Sequence, residues 1–327
     1  MFPNIFSFRA VQAIVVVTGG VAGNVHAADN YPSRPIRVVV ASAAGGGLDA
    51  VARIVSPRLS ESMGTTWVVD NRAGAGGNLG AEIVARASPD GYTALASTST
   101  VLTVNPSLYK MPFSVEKDLQ PITVLATGEQ VVVVHPSVPA KTLQELIALA
   151  KQKPGTLNYA SAGVGTAIHL GAELLKMRAG IDMTQVPYKG GGPAAAAVLG
   201  NEVQVLVGTV ASTIPFIQAG RLRALATTGL KRSKLTPDLP TVAESGYPGF
   251  DAGLWFALLV PGATPKSIAD RMHREALKAL QNPEVQAAMA RQGLEPDPTT
   301  PAGLVERIRK ETQTWAAVVR KAGIRVE

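Results

Sequence analysis

Apolar residues in this chain fall into short runs separated by glycine-rich turns and stretches of helical period. The runs at 36–41, 67–69, 92–96, 131–134, 157–160, 203–207, 222–226 and 254–260 read as strands. Between them, Thr142-Leu143-Gln144-Glu145 is a capping box opening a helix that stops before Pro154-Gly155. Pro193, followed by four alanines, reads as a helix with proline in its first turn. Near the end, Thr264-Pro265 opens a helix with Ile268, Met272, Ala276 and Leu280 on one face, closed by Asn282-Pro283. A last helix from about Pro301 carries Leu304, Ile308, Trp315 and Val319 and stops at Gly323. Alternating strands and helices predict an α/β chain with mainly parallel sheets.

Two places, more than a hundred residues apart, repeat one pattern of strand, glycine-rich turn and helix. The first runs through Ser42-Ala43-Ala44-Gly45-Gly46-Gly47 and the second through Ser161-Ala162-Gly163-Val164-Gly165-Thr166. Glycine lets backbone N–H groups turn toward open space, and a helix N-terminus adds about half a positive charge. Each turn is a candidate anion cradle, or else an ordinary turn between strand and helix. Gly46 and Gly165 are the positions expected to need positive φ. Asp49 either favours the helix dipole or accepts a hydrogen bond from a ligand or water. Thr166 and His169 have the same choice between local capping and holding a ligand.

The opening residues resemble a secretory signal. Arg9 supplies the charge, 11–17 an apolar core broken after it by Gly19-Gly20, and Val25-His26-Ala27 a cleavage site. Cleavage after Ala27 leaves roughly 300 residues, a length suited to two domains. The net charge of +7 has no long basic run, and aromatics are only 5% of the chain, which argues against nucleic-acid binding. The chain has no cysteine, so disulfides and thiol chemistry are excluded.

Catalytic patterns are poor. His135, His169 and His273 sit in no HExxH motif, His273 reads as solvent-exposed, and no G-x-S-x-G elbow is present. Gly45-x-Gly47-x-x-Ala50, with Asp70 ending the next strand, fits a dinucleotide fingerprint and leaves a nicotinamide-dependent oxidoreductase as an alternative. A second glycine-rich stretch, 70–80, has neither the P-loop lysine nor the full Rossmann spacing and reads as structural, with direct ligand contact as the alternative.

Several segments together resemble the Bug (TctC-like) receptors of tripartite tricarboxylate transporters. They are residues 43–53, 70–77, Asn105-Pro106-Ser107-Leu108-Tyr109, 158–166 with His169 and Glu173, and Val186-Pro187-Tyr188-Lys189-Gly190. That resemblance implies a two-domain clamshell of the periplasmic-binding-protein type, with a small organic carboxylate held between the domains. Residues 28–128 plus 254–327 would form one domain and 129–253 the other. The implied ligand set is Ala43, Ala44, Gly45, Gly46, Gly47, Asp49, Thr98, Ser161, Gly163, Gly165, Thr166, His169, Tyr188 and Lys189, Lys189 being the only nearby cation. It further implies a monomeric periplasmic protein without metal or cofactor, delivering its cargo to membrane subunits. Presentation of the ligand to a membrane signalling kinase is a variant of the same binding step.

Overall fold

The computed structural model describes Met1, residues 31–188 and residues 190–325; the expected signal segment lies outside the described residues. The chain runs β1 (Ile36–Val40), α1 (Gly47–Met63), β2 (Trp67–Asn71), α2 (Asn78–Ala85) and β3 (Thr93–Thr98). A π-helical turn, Thr100–Val104, and the short helices α3 (Asn105–Leu108) and α4 (Val115–Asp118) lead to β4 (Leu119–Gly128). Next come β5 (Gln130–Val134), α5 (Leu143–Gln152), β6 (Asn158–Ser161), α6 (Ala167–Ala179) and β7 (Thr184–Pro187). They are followed by α7 (Gly191–Leu199), β8 (Val205–Thr209), α8 (Val210–Gln218) and β9 (Arg223–Thr227). The chain closes with β10 (Leu254–Pro261), α9 (Lys266–Gln281), α10 (Pro283–Arg291), β11 (Leu294–Glu295) and α11 (Pro301–Ala322).

Two sheets result, each the centre of one lobe of a two-domain α/β clamshell. The first has the order β11-β4-β10-β3-β1-β2 and the second β7-β6-β8-β5-β9. Both are mixed, not mainly parallel. Each holds one parallel triplet, β2-β1-β3 or β7-β6-β8. The remaining pairings, those of β10 and β5 together with β11 on β4, are antiparallel. The reason lies in the connections. Triplet strands are joined by crossover helices, whereas β5 and β10 arrive directly from the other lobe. In both triplets the chain steps from the middle strand to one side and then to the other. A topological switch point therefore lies between β1 and β3, and another between β6 and β8.

Core packing follows the sequence periods closely. All five residues of β5 are buried, as expected of a strand covered on both faces. α1 buries Leu48, Val51, Ala52, Val55, Leu59 and Met63 along one stripe and ends at Gly64 in the left-handed conformation. The predicted stripe of α9 is buried as spaced. His273, expected in solvent, is half-buried with Nδ1 3.0 Å from the Ile122 carbonyl oxygen. α11 packs on the π-helical turn, α3 and β4 of the first lobe and on α6 of the second. Its Trp315, Val318 and Val319 join the second lobe's core with Leu170 and Leu174.

The chain passes from the first sheet to the second through a single residue, Glu129, and returns between Thr227 and Leu254. Gln130 ties the two passages: its Nε2 donates to the carbonyls of Ala252 (3.1 Å) and Ala167 (3.2 Å). On the return side, Trp255 is fully buried and its indole N–H donates to Glu311, which also accepts from Arg307. Burial, with Glu295 and then Asp251 nearby, pushes the Glu129 carboxyl up to about 7, and its Oε2 has no hydrogen-bond partner among the described residues. A carboxyl raised above its unfolded value of 4.5 stabilises the fold most below that value, and the benefit is lost as pH rises toward 7. Glu129→Gln should therefore stabilise the protein by about 1–3 kcal/mol at pH 8 and by much less at pH 5, read by urea denaturation at both pH values. An equal gain at both would show that the carboxyl does not titrate in this range.

Candidate functional site

Both glycine-rich loops leave the C-terminal end of a middle strand, β1 or β6, beside a switch point. The two are built alike. Gly45 and Gly165 take positive φ, +85° and +76°, and the next residues, Gly46 and Thr166, are extended helix caps. Three residues after each cap, a buried side chain reaches back. Asp49 Oδ2 accepts the Gly45 N–H at 2.9 Å, and His169 Nδ1 accepts the Gly165 N–H at 3.0 Å. Gly46, contrary to expectation, has φ −85° with room for a side chain, so Gly45 is the true counterpart of Gly165.

The first loop is the more exposed. Ala43, Ala44, Gly45, Gly46 and Gly47 are all open to solvent. Amides of Gly46, Gly47 and Leu48 donate to no atom among the described residues, as first-turn amides do unless a cap or ligand meets them. Asp49 also accepts from Arg53 Nε (2.9 Å) and Asn71 Nδ2 (3.0 Å), and Asn71 bonds the Ser42 carbonyl in turn. Burial would raise this carboxyl, but hydrogen bonds from Arg53, Gly45 and Asn71 hold it below its usual range. It is therefore an anion whose charge is met by Arg53. The fingerprint acid Asp70 is likewise engaged, by Arg37 and Arg72.

In the second loop Thr166 caps α6, its hydroxyl donating to the Gly163 carbonyl at 2.8 Å and accepting the His169 amide at 3.4 Å. Gly163, at φ +118°, donates to Ser161 Oγ, which also accepts from Gln185; the Ser161 carbonyl takes the Tyr188 amide. Amides of Ala167 and Ile168 donate to no atom among the described residues. His169 stacks on Tyr159, whose hydroxyl donates to Glu173. Burial holds the imidazole below its ordinary value, and an Nδ1 that accepts Gly165 puts the ring proton on Nε2. Tyr188 is half-buried, and burial raises its phenol. Lys189 lies outside the described residues.

The correspondence extends to the strands across each switch point. Thr98 ends β3 and its hydroxyl accepts the Val101 amide; Thr209 ends β8 and accepts the Ser212 amide in the same way. Opposite Thr98 on the antiparallel neighbour stands Phe256, whose ring lies 3.3 Å from where a Gly47 Cβ would be. Opposite Thr209 stands Gln130, which bonds the carbonyl of Ala167. Gly47 and Ala167 are each the first residue of their helix. Thr209, Asn71, Phe256 and Gln130 were given no site role from the sequence, since only the strand order brings them to the loops; Arg53 was also passed over, although its i,i+4 spacing from Asp49 was a local signal. A cavity of about 850 Å³ runs along α6 from Val164 at the loop tip, past His169, to Gly180.

Among the described residues, no helix is long and apolar enough to cross a membrane. Residues 51–324 match the family described as tripartite tricarboxylate transporter family receptor. The protein BugT of Bordetella pertussis is 38% identical over 326 residues, covering 99% of this chain and all of its own. A solved R. palustris protein with adipate is 32% identical with a TM-score of 0.75, covering 90% of this chain and 99% of its own. MatC from Rhodopseudomonas palustris, with bound malate, is 29% identical with a TM-score of 0.72, covering 88% and 100%. The family match, the relatives and the fold agree: the chain belongs to the family of tripartite tricarboxylate transporter receptors.

Proposed function

We propose that this receptor works in the periplasm, where it captures a small aliphatic diacid of malate-to-adipate length between its two lobes and hands it to the membrane subunits of its transporter. The carrying observation is the pair of stapled loops, one per lobe, each holding first-turn amides open beside a switch point. Two cradles suit two carboxylates, and the relatives solved with adipate and malate hold diacids. Residues 28–128 plus 254–327 would move as one lobe and 129–253 as the other, about the passages at Glu129 and before Leu254. A ligand closes the lobes only by binding the closed form better than the open one. Backbone amides fit that task, being already fixed and losing no side-chain entropy on binding. The protein acts as a monomer, without cofactor, and returns its ligand unchanged.

Thermal denaturation with malate, adipate, citrate and benzoate should single out a diacid. At a hundredfold excess over Kd it should stabilise the protein by about 2.7 kcal/mol and be recovered intact after long incubation. Stabilisation by NADH and by none of the acids would replace this reading with a dinucleotide one. Mature protein released by osmotic shock should begin at Ala28; an intact Met1 in the cytoplasmic fraction would remove the periplasmic assignment.

The loop glycines separate cradle from turn. Gly45→Ala and Gly165→Ala force a side chain into positive φ, a strain of about 1–2 kcal/mol that a reshaped loop relieves. Each should weaken diacid binding about tenfold by isothermal titration calorimetry. Gly46→Ala, at an extended φ with free space, should change affinity less than threefold. Equal affinities in all three variants would place the ligand elsewhere.

A further inference from the structure

We propose that Asp49 and His169 are matched positioning residues: each keeps its cradle in the anion-receiving shape by accepting the amide of the glycine four residues upstream. Only the second of these staples is broken by a proton. This rests on the receptor reading above and gives the two side chains a role distinct from ligand contact.

The geometry is the same twice. In each loop a glycine with positive φ is followed by an extended cap, and the side chain three residues after the cap accepts the glycine N–H. That bond turns one amide inward and leaves the next ones facing out. Without it the glycine has no bond to oppose its wide conformational freedom, and the following amides lose their common aim. The residues one helical turn further on differ in sign. Asp49 is followed by Arg53, which bonds it; His169 is followed by Glu173, which instead bonds Tyr159 and Lys176. Each staple thus reaches the cradle without a bare charge that would repel an anion: a carboxylate matched by guanidinium in the first loop, a neutral ring in the second.

The chemistry of the two acceptors differs in acid. The Asp49 carboxyl, held low by three donors, stays an acceptor well into acid. An imidazolium carries hydrogen on both ring nitrogens, so a protonated His169 cannot accept the Gly165 N–H. Groups facing the ring are Tyr159 from β6 and Glu173 and Lys176 from its own helix. Across the cavity stand Lys151 of α5, Asp182, and Lys321 and Arg325 at the end of α11. Burial and Lys176 oppose the proton while Glu173 favours it, and the balance keeps the ring neutral near pH 7. The second cradle is therefore expected to loosen as pH falls below 6.5, while the first keeps its shape.

The test is calorimetric binding of malate and adipate between pH 5 and 8 to wild type, His169→Asn, His169→Leu, Asp49→Asn and Asp49→Leu. Circular dichroism controls folding. Asparagine keeps an acceptor at the reach Asp49 already shows to suffice, and it does not titrate. His169→Asn should bind within about threefold of wild type at pH 8 and gain on it progressively below pH 6.5; protonation of the ligand cancels in that ratio. His169→Leu should bind at least tenfold more weakly than wild type at pH 8 and at least tenfold more weakly than His169→Asn at every pH, its gap to wild type closing in acid. Asp49→Asn should bind close to wild type and Asp49→Leu weakly, neither altering the shape of the acid limb. Hydrogen exchange at Gly165, measured by NMR without ligand, should lose protection in His169→Leu and in acidified wild type, and keep it in His169→Asn. If wild type binds the diacids but His169→Leu binds as well, or the wild-type to His169→Asn ratio is flat with pH, the staples do not position the cradles. If no acid binds wild type, the receptor reading fails, and unchanged Gly165 exchange in His169→Leu would overturn the staple separately.

Discussion

The first N–H groups of an α-helix have no carbonyl behind them, and something outside the helix has to meet them. Side-chain caps meet part of that need in several helices, as Thr142 does for α5, Asn282 for α10 and Thr300 for α11. α1 has no side-chain cap, and in α6 the Thr166 cap meets only the His169 amide. Their stapling side chains satisfy the amide just before the cap, and the amides that follow stay open toward the end of the sheet. Placing these two incomplete helix starts beside two switch points makes a structural obligation into a binding opportunity. The rest of the architecture holds them there: Phe256 under the first residue of α1, Gln130 on the first carbonyl of α6.

Much of this was legible in the sequence because it is local. Glycine-rich turns after strands, the capping box at Thr142 and the apolar stripes of α9 and α11 each declare themselves within one window. What escaped is non-local. β4 carries Pro121 in a run that otherwise reads as strand, and proline argues against a buried strand unless the ladder tolerates it. The register slip between Leu258 and Leu259, opposite Pro121, provides that tolerance. Antiparallel β5 and β10 read like any apolar strand, since direction depends on which lobe the chain has come from. Gly46 looked like the strained glycine only because three glycines stand in a row, and which one takes positive φ is settled by where Asp49 reaches. Arg53 follows Asp49 at the i,i+4 spacing of a helix ion pair, whereas Asn71 joins the first cradle through a hydrogen bond across the sheet that no spacing rule describes.

The passages between lobes are unusually economical. One of them is a single residue, and its side chain stands among acids at the other passage and at β11. Gln130, next along, touches both the return passage at Ala252 and the helix of the second cradle. The passage and the second glycine-rich loop are thus one hydrogen bond apart, so under the proposed closure a rotation at the passage would reach the start of α6 without any intervening relay. Gly171 permits that closeness, since a side chain there would lie 2.9 Å from Gln130 Oε1.

α11 gives this arrangement a mechanical character. Its 22 residues, about 33 Å of helix, rest on the first lobe at one end and enter the second lobe's core at the other. Two flexible passages alone would let the lobes twist, slide and gape. If the lobes move as proposed, a stiff rod seated in both bodies would remove most of those freedoms and leave swinging about an axis near the rod as the soft direction. The open ensemble would then be narrow, and a ligand arriving in it would have little disorder to remove before the second cradle met it.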